Sequence, residues 1–383
     1  MSNRARAIVR VGSILLAGGL TALSAAAVAM PGVATAAPVP VYAWGSNSSG
    51  ELGNGTNTAS SVLTPVIGLP TVRSLSAGFG HSLALTFTGK VRAWGMNNYG
   101  QLGINTLVSH NLPVPVPGLS KVVAISAGVY HSMALLSTGK VKVWGRNNYG
   151  QLGNGTTTDS PVPVFVPGLT GVVAIAAGEY FSLALLSNGT VKAWGRNNFG
   201  QLGNGTNTDS PVPVAVSGLT GIKAISAGGF HALAESAGTV QAWGFNFYGE
   251  LGNGTNTSSN VPVTVSGLAG ATAISAGGYH SLALLAGGTV MAWGVDVDGA
   301  LGDGTNTSSN VPVTMLTPPG ITAISAGADH SLALLSGAIF ACGLNSSGQL
   351  GNGNTTSSNL PIFVSGAIRV SMISAGLYHN LAS

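Results

Sequence analysis

Residues 125–164 decide the fold: they read ISAGVYHSMALLSTGKVKVWGRNNYGQLGNGTTTDSPVPV, and copies of this unit recur along the chain. The Trp-Gly pair inside the unit marks its period. Cys342-Gly343 takes the place of one such pair, and the other pairs begin at Trp44, Trp94, Trp144, Trp194, Trp243 and Trp293. Successive pairs lie 49 or 50 residues apart, a spacing that is typical of proteins built from repeated structural units.

Each unit contains four short apolar or alternating runs separated by glycine, asparagine and serine, which is the pattern of strands joined by tight turns. In the second unit, strands are predicted at residues 122–127, 132–136, 140–144 and 162–166. Asn-Gly pairs such as Asn154-Gly155 are strong turn formers because both residues tolerate a positive φ. Four strands per unit, repeated seven times, predict an all-β, seven-bladed β-propeller.

The two ends of the chain are incomplete in a complementary way. Residues 39–44 begin in the middle of a unit, and residues 373–381 stop in the middle of another. We expect one propeller domain over residues 37–383, in which residues 37–70 and 368–383 pair as a composite blade. This pairing would close the ring and remove its open edges. The chain has one cysteine, so closure and core packing must hold the fold without an intramolecular disulfide.

The N-terminal residues predict export. Arg4 and Arg6 precede an apolar run at residues 11–30, and Ala34-Thr35-Ala36 forms a small-residue cleavage site ahead of Ala37. We expect residues 1–36 to be a signal peptide and the protein to be secreted. The alternative is an uncleaved anchor that keeps the protein at the cell surface, because the run is close to the length of a membrane span.

Two classes of function are disfavoured by what the sequence lacks. The net charge is +4, but the first ten residues hold three arginines, and the remainder has 11 basic against 10 acidic side chains. This near-neutral body argues against nucleic-acid binding. The chain also has no Gly-x-Ser-x-Gly or His-Glu-x-x-His motif and no repeated pairing of its acidic residues. We expect neither an enzyme nor a bound cofactor.

The unit resembles the regulator of chromosome condensation repeat, which carries an Ala-Gly-x-x-His run, an Ala-Leu run, a Val-x-x-Trp-Gly strand and a Gln-Leu-Gly loop. The second unit has these features at residues 127–131, 134–135, 141–145 and 151–153. The resemblance covers residues 39–383 and implies a seven-bladed propeller. The founding member of that family is a nuclear exchange factor for a small GTPase. We expect no small-GTPase partner here, because an exported chain would not meet one.

Two sets of aromatic residues are predicted to bind a partner. The first set follows the Trp-Gly pairs of four successive units and would form an arc on one side of the ring: Tyr99, Tyr149, Phe199 and Tyr248. The second set follows the Ala-Gly turns: Phe79, Tyr130, Tyr180, Phe181, Phe230, Tyr279 and Tyr378. Exposed aromatic residues often anchor protein interfaces. Packing beneath the Gln-Leu-Gly loops is the alternative role for the arc.

The second set matches a resemblance to a secreted inhibitor of β-lactamases built from similar repeats, whose contact face carries aromatic residues after its Ala-Gly turns. The units of the present chain are longer and carry the Gln-Leu-Gly-Asn-Gly-Thr loop that the inhibitor lacks. Inhibition of β-lactamases is therefore not carried over.

Other repeated residues are expected to serve the fold. The tryptophans are expected to pack between blades, with the smaller Cys342 leaving a packing gap. The third unit has Phe181 where six units have histidine, and each histidine is expected to make a turn-stabilising hydrogen bond rather than bind a metal. These histidines are His81, His131, His231, His280, His330 and His379.

One acidic group departs from the repeat, and it consists of Asp296, Asp298 and Asp303. Carboxylates at this spacing can ligate calcium. Because the motif is short and lacks a later glutamate, we assign no metal to it.

These observations favour a monomeric, secreted, non-enzymatic module that binds a protein partner through its blade loops. A glycan-binding, lectin-like propeller is the main alternative, because repeated aromatic and Asn/Thr loops suit sugars. A third hypothesis is a hydrolase with its site in the central funnel. That hypothesis requires carboxylates that converge at one opening of the ring.

Overall fold

The structure is a computed structural model, and it describes residues 40–383. The predicted signal peptide lies outside the described residues. Twenty-eight strands form seven antiparallel sheets of four strands each, and these sheets are the blades of a ring. The predicted all-β, seven-bladed β-propeller is therefore confirmed. Within residues 40–383 no helix has the length and apolar character needed to span a membrane.

The strands are numbered in chain order, and the first two are β1 (Tyr42–Gly45) and β2 (Ser60–Pro65). Blade 1 contains β3 (Val72–Ala77), β4 (His81–Thr86), β5 (Val91–Gly95) and β6 (His110–Pro115). Blade 2 contains β7 (Val122–Ala127), β8 (His131–Leu136), β9 (Val141–Gly145) and β10 (Ser160–Phe165). Blade 3 contains β11 (Val172–Ala177), β12 (Phe181–Leu186), β13 (Val191–Gly195) and β14 (Ser210–Ala215).

The remaining strands follow the same order. Blade 4 contains β15 (Ala224–Ala227), β16 (His231–Ser236), β17 (Thr239–Gly244) and β18 (Ser259–Thr264). Blade 5 contains β19 (Ala271–Ala276), β20 (His280–Leu285), β21 (Val290–Gly294) and β22 (Ser309–Thr314). Blade 6 contains β23 (Ala323–Ala326), β24 (His330–Leu335), β25 (Ala338–Gly343) and β26 (Ser358–Phe363). The last two strands are β27 (Ile373–Ala375) and β28 (His379–Ala382).

Blade 7 is assembled from both ends of the described chain, in the order β2-β1-β28-β27. The strands β1 and β28 are antiparallel, with Tyr42 opposite Ala382 and Gly45 opposite His379. The composite blade is thus confirmed, and it leaves no gap in the ring where a sheet edge would be exposed.

Each blade runs from the axis to the rim. The first strand lies next to the first strands of the neighbouring blades, the second and third strands are mostly buried, and the fourth is half-exposed. The Gly of the Trp-Gly pair ends the third strand. In blade 2 this residue, Gly145, has a φ of 107°, and a Cβ there would meet the carbonyl oxygen of Tyr130. Glycine is therefore required for this close approach.

The tryptophans pack between blades, as predicted. In blade 2, Trp144 is fully buried with Leu83 and Leu85 of blade 1, and its indole N–H donates to the carbonyl oxygen of Gln101 at 2.8 Å. The other tryptophans make the same bond to the preceding blade. Each tryptophan therefore joins two blades through one apolar contact and one hydrogen bond.

At Cys342, where a packing gap was expected, a neighbouring buried residue also departs from the repeat. Cys342 is buried with Met315 in one cluster, and the Sγ atom lies within 3.6 Å of the carbonyl oxygen of Ala300. Six other blades have valine at the position of Met315, and these are Val66, Val116, Val166, Val216, Val265 and Val364. The longer and flexible methionine side chain replaces volume that the indole supplies elsewhere.

The buried histidines make one hydrogen bond per blade, as predicted, but the bond joins blades rather than stabilising its own turn. His131 in blade 2 lies 2.8 Å from the Oγ of Ser182 in blade 3. The Oγ of Ser182 donates in turn to the carbonyl oxygen of Gln151. The serine hydrogen is used for that carbonyl, so the histidine Nε2–H is the donor to the serine. Burial lowers the pKa of His131 to about 3, which keeps the ring neutral.

The junction between blades 3 and 4 replaces this polar pair with an apolar one. Phe181 stands where the other blades have histidine, and Ala232 stands where the next blade would have serine. Both are fully buried in one cluster. Ala176 likewise replaces a serine whose hydroxyl accepts a backbone N–H from the next blade at the other junctions, as Ser126 does from Ala177. The two changes in the His–Ser pair compensate each other across a distance of 51 positions.

This compensation is testable with a double-mutant cycle. Phe181→His alone should lower the free energy of unfolding by about 1–3 kcal/mol, because the buried imidazole N–H would face Ala232 without an acceptor. Ala232→Ser in the same chain should recover most of that loss, because the new hydroxyl can accept from the imidazole and donate to the carbonyl oxygen of Gln201. Urea unfolding of the wild type, both single variants and the double variant gives the coupling energy. A coupling energy near zero would contradict the pairing.

Candidate functional site

Both predicted sets of aromatic residues lie on one face of the ring. In an antiparallel blade the turn between the first two strands and the loop between the last two strands emerge at the same end. Tyr99 in the loop of blade 1 therefore meets Tyr130 in the turn of blade 2, with ring centroids 5.2 Å apart in an edge-to-face arrangement. Tyr149 and Tyr180 form the same pair one blade further, also at 5.2 Å. We call this surface the aromatic face.

The turn residues also contact one another around the central axis. Phe79 lies between Tyr378 and Tyr130, with centroid distances of 5.9 and 5.6 Å. Tyr130 and Tyr180 follow at 5.8 Å, and Phe230 and Tyr279 at 6.2 Å. The ring contacts are interrupted between Tyr180 and Phe230, where Arg196 lies over both rings, and at blade 6, where Asp329 occupies the turn position. The aromatic residues therefore form an incomplete ring.

Phe181 is not part of the aromatic face, which corrects its prediction as a partner-binding residue. It is the first residue of β12 and is fully buried between blades 3 and 4. Neighbouring residues of a strand point to opposite sides. Tyr180 therefore reaches the aromatic face, whereas Phe181 enters the core in the place of a histidine.

The four arc residues differ in exposure. Tyr149 and Phe199 are half-buried, since Tyr149 packs on Tyr180 and Phe199 contacts Phe230, Phe245 and Phe247. Tyr248 is 50% exposed, and its neighbour Phe247, which was not among the predicted residues, is 58% exposed. Tyr149 and Phe199 therefore pack within the face, as the alternative role for the arc required, and partner binding by the exposed blade 4 end stays a prediction.

Two arginines complete the aromatic face. The Arg146 guanidinium lies 4.5 Å from the ring centroid of Tyr99 and 5.3 and 5.4 Å from those of Tyr130 and Tyr180. Arg196 lies over Tyr149, Tyr180 and Phe230 at 4.8–5.7 Å. Guanidinium groups above aromatic rings make favourable cation–π contacts. The sequence signal was available, because both arginines directly follow a Trp-Gly pair.

A narrow cavity of about 80 Å³ lies on the axis at the centre of this face. It is lined by the Ala-Gly turns of all seven blades together with Val129, Glu179 and Leu377. Burial raises the pKa of Glu179 to about 7, although the Tyr180 hydroxyl and the guanidinium groups of Arg196 and Arg146 oppose the shift. Burial and the neighbouring Glu179 raise the pKa of Tyr180 to about 12. Among residues 40–383, Glu179 is the only carboxylate that lines the cavity.

The loops of the arc are held by a repeated side-chain contact. In blade 2 the Oε1 of Gln151 accepts the backbone N–H of Tyr149 at 3.0 Å. In blade 4 Glu250 replaces the glutamine, and its Oε2 accepts the N–H of Tyr248 at 3.0 Å. The second oxygen of Glu250 is buried and has no hydrogen-bond partner among residues 40–383. Burial accordingly raises the pKa of Glu250 from 4.5 to about 7.

Glu250→Gln should therefore stabilise the protein in a pH-dependent way. The folded-state pKa is above the unfolded value, so the wild type loses stability as the pH rises from about 4.5 to about 7. Relative to the wild type, the variant should gain about 1–2 kcal/mol at pH 8 and close to nothing at pH 4.5. Thermal unfolding of both proteins across this range measures the difference in stability. The buried histidines change the stability of both proteins equally with pH, so their contribution cancels in this difference. Gln151→Glu is the matched control and should lose stability over the same range.

The acidic group does not form one cluster. Asp298 occupies the arc position of blade 5. Burial raises the pKa of the half-buried Asp329 in blade 6, and the negative charge of Asp298 raises it further. Asp296 instead lies buried beneath the loop that contains Asp303. Within residues 40–383, no three side chains of the His, Cys, Asp or Glu type are grouped as a metal set.

The closed ring with one contact-rich face defines a seven-bladed repeat propeller. The chain belongs to the regulator of chromosome condensation (RCC1) family: the model of the RCC1-like domain matches residues 23–272. One model of the RCC1 repeat matches residues 287–334 and 336–383, and a second matches residues 271–300 and 321–349. The family predicted from the repeat unit is thus confirmed. No curated protein sequence matches the chain at a significant level.

Solved structures of similar shape include two of a yeast protein and one of a human protein. Yeast RCC1 (Prp20) bound to Kap60 is 23% identical over 90% of this chain and 88% of that one, with a TM-score of 0.82. Prp20p of Saccharomyces cerevisiae, described with its binding properties to Gsp1p and histones, is 25% identical over 90% and 91%, with a TM-score of 0.81. Human WBSCR16 is 26% identical over 90% and 98%, with a TM-score of 0.81.

These similarities correct one prediction. We expected no small-GTPase partner, but the yeast relative Prp20p is described by its binding to Gsp1p, a Ran-like GTPase, and to histones. The prediction rested on export of the chain, which nothing in the described residues addresses. Its exclusion of small GTPases is therefore wrong.

Proposed function

We propose that the protein is a non-enzymatic, protein-binding propeller that contacts its partner through the aromatic face. The observation that carries the proposal is the set of tyrosines and phenylalanines on one face, with Arg146 and Arg196 stacked on them. Tyrosine and arginine are among the residues that dominate binding energy at protein interfaces. Relatives of the same fold bind proteins, which supports the same function.

The central cavity supports a binding role better than a hydrolytic one. A volume of about 80 Å³ is small beside the several hundred Å³ of a typical small-molecule pocket. Hydrolysis by paired carboxylates needs two such groups at one site. Glu179 in blade 3 and Asp329 in blade 6 belong to different sectors of the ring, and only Glu179 lines the cavity. This arrangement gives no acid–base pair.

The stacking of the arginines also disfavours a lectin. Sugars bind aromatic side chains through an open ring face, whereas Arg146 covers Tyr99 and Arg196 covers Tyr149. Protein partners can instead use the guanidinium groups and the exposed ring edges together. We therefore propose a protein rather than a glycan as the principal ligand.

The test is affinity capture with immobilised residues 40–383, followed by identification of the retained proteins and by a glycan array in parallel. The capture should include small GTPases among the candidate partners, because the yeast relative binds Gsp1p. Retention of a protein that purified components reproduce would support the proposal. Reproducible glycan binding without any such protein would overturn it.

We also propose that the protein is exported, on the basis of its first 36 residues. The expected product begins at Ala37 after cleavage behind Ala34-Thr35-Ala36. Mass spectrometry of the protein recovered from the medium tests this directly. Recovery only from cells, with the first 36 residues still attached, would contradict it.

A further inference from the structure

One side chain organises the loop between the third and fourth strands of every blade. In blade 2 this residue is Asn147, whose Oδ1 accepts the backbone N–H of Leu152 at 2.8 Å. Its Nδ2 donates to the carbonyl oxygens of Thr156 and Thr158, both at 3.0 Å. Six blades have asparagine at this position, and each amide donates to two backbone carbonyls of its own loop. We call this position the loop hub.

Blade 5 has Asp296 at the loop hub. Its Oδ1 accepts the N–H of Leu301 at 2.7 Å, as the asparagine oxygen does elsewhere. The Oδ2 atom therefore occupies the place of the amide nitrogen. Asp296 is fully buried, and its Oδ2 has no hydrogen-bond partner among the described residues. The carbonyl oxygens of Thr305 and Thr307, which correspond to those of Thr156 and Thr158, have lost the amide donor.

A second substitution in the same loop adds another oxygen with negative charge. Asp303 stands where blade 2 has Asn154, and its Oδ1 accepts from the N–H and the hydroxyl of Thr305, both at 2.8 Å. In blade 2 the corresponding Asn154 Oδ1 lies 3.3 Å from the hub amide. By correspondence with blade 2, two carboxylates and two backbone carbonyls surround the position where six blades place an N–H donor. Without a cation, such oxygens repel one another at high cost.

We propose that the blade 5 loop binds a calcium ion. The ligands are Asp296 Oδ2, the Asp303 carboxylate, and the carbonyl oxygens of Thr305 and Thr307. Calcium takes six to eight oxygen ligands from carboxylates, backbone carbonyls and water, and the exposed Thr305 and Thr307 leave room for water.

The spacing of the loop suits calcium better than magnesium. In blade 2, acceptor oxygens lie 3.0–3.3 Å from the hub nitrogen. Neighbouring oxygens around a six-coordinate calcium ion are about 3.4 Å apart, which the same loop reaches with a small expansion. Magnesium needs about 2.9 Å and a regular octahedron, and it keeps most of its water. The backbone carbonyls of this irregular loop therefore suit calcium better than magnesium.

Calcium titration of metal-free protein, residues 40–383, tests the proposal by calorimetry and by thermal unfolding. We expect one ion per chain and a rise of about 3 °C or more in the unfolding midpoint with millimolar CaCl₂ against EGTA. Asp296→Asn should remove both effects. Because it restores the hub of the other six blades, it should fold normally and unfold at the same temperature with CaCl₂ or EGTA.

Two further variants separate the site from a general effect of acidic residues. Asp298→Asn lies in the same segment but outside the proposed ligand set, and it should bind calcium like the wild type. Asn147→Asp combined with Asn154→Asp copies the arrangement into blade 2 and should add a second bound ion. The proposal is overturned if the wild type binds no calcium, or if Asp298→Asn loses binding as completely as Asp296→Asn.

Discussion

A chain that ends at Gly366 is expected to lose the cooperative thermal unfolding of the full propeller. The truncation removes β27 and β28, so β1 loses the strand with which Ala43 and Trp44 pair. It also removes the buried Leu381 and Ala382, and both faces of blade 7 then expose apolar surface. Opening the ring exposes the unpaired edge of β1 and the faces of the two blades that packed against blade 7. The loss should exceed the 5–15 kcal/mol that typically stabilises a folded domain.

Polar contacts across the closure fail in the same variant. His379 lies 2.8 Å from the Oγ of Ser82 in blade 1, and His330 of blade 6 lies 2.7 Å from the Oδ1 of Asn380. Removal of β27 and β28 takes away the acceptor of His330 and the histidine that lies against the Oγ of Ser82. Circular dichroism and size-exclusion chromatography should show an expanded chain without a sharp transition.

A circular permutant is the matched control. The register places Ser383 beside Val41, so a short Gly-Ser linker can join the two ends of the described chain. New ends between the exposed Thr220 and Gly221 open the covalent chain without removing any strand. This permutant should keep a sharp transition. If the truncated chain unfolds as sharply as the permutant, closure by strand pairing is not what holds the ring.

The combined variant Phe247→Ser, Tyr248→Ala is expected to weaken partner binding at least 30-fold. Both side chains are half or more exposed at the blade 4 end of the aromatic face, so a partner can bury them. Loss of one interface hot spot costs about 2 kcal/mol or more, which corresponds to roughly that factor in the dissociation constant. Phe247 and Tyr248 also contact the rings of Phe199 and Phe245, so the free energy of unfolding should fall by about 1–3 kcal/mol. This loss is smaller than that of a variant at the half-buried Phe199, so affinity can be compared at a temperature where both proteins are folded.

The control for this experiment is Phe165→Ser. Phe165 is 49% exposed at the end of the outer strand β10, where Lys142 and Lys140 lie over its ring. It matches Phe247 in residue type and exposure but lies on the rim of blade 2. Biolayer interferometry with the partner identified by capture should find wild-type affinity. An equal loss of affinity in the control, or no loss in the paired variant, would place the contact surface elsewhere.

The structure also decides against a simpler variant with alanine at Tyr149, Phe199 and Tyr248. Phe199 contacts three other phenylalanine rings, and Tyr149 supports both Tyr180 and Arg196. Aromatic pairs of this kind contribute about 0.5–1.5 kcal/mol each beyond their burial. The triple variant would therefore lose stability as well as surface, and the two effects would not be separable.

The period of the sequence was sufficient to predict the blades, because each tryptophan makes the same contact with the preceding blade. Strand ends were harder to place. The fourth strand of blade 2 was predicted at residues 162–166, but it is Ser160–Phe165. The strand includes Pro161, which is tolerated there because β10 is the outer strand of its blade and its missing N–H need not pair with another strand. A register irregularity between Ser160 and Val164 then extends the pairing to Gly145.

The composition of the aromatic face was only partly predictable. Phe181 was grouped with Tyr180 because the two are adjacent, although a strand sends adjacent side chains to opposite sides. Arg146 and Arg196 could be placed near this face from their positions after a Trp-Gly pair, but their stacking could not be predicted, because the partners of each come from three blades and span 81 positions of the sequence. Contacts of this kind belong to the closed ring and are absent from any single repeat.

The histidine-to-serine bonds give the ring a sense of direction. Every donor histidine belongs to one blade and its acceptor to the following blade. Each blade therefore supplies the donor at one junction and the acceptor at the other. Deleting or duplicating a blade therefore keeps every bond complete only if the cut falls at the same point of the repeat on both sides. A single altered residue, in contrast, must be answered about 50 positions away, as Phe181 is by Ala232. Substitutions are therefore independent from one junction to the next rather than from one repeat to the next. Each sequence repeat contributes residues to two junctions.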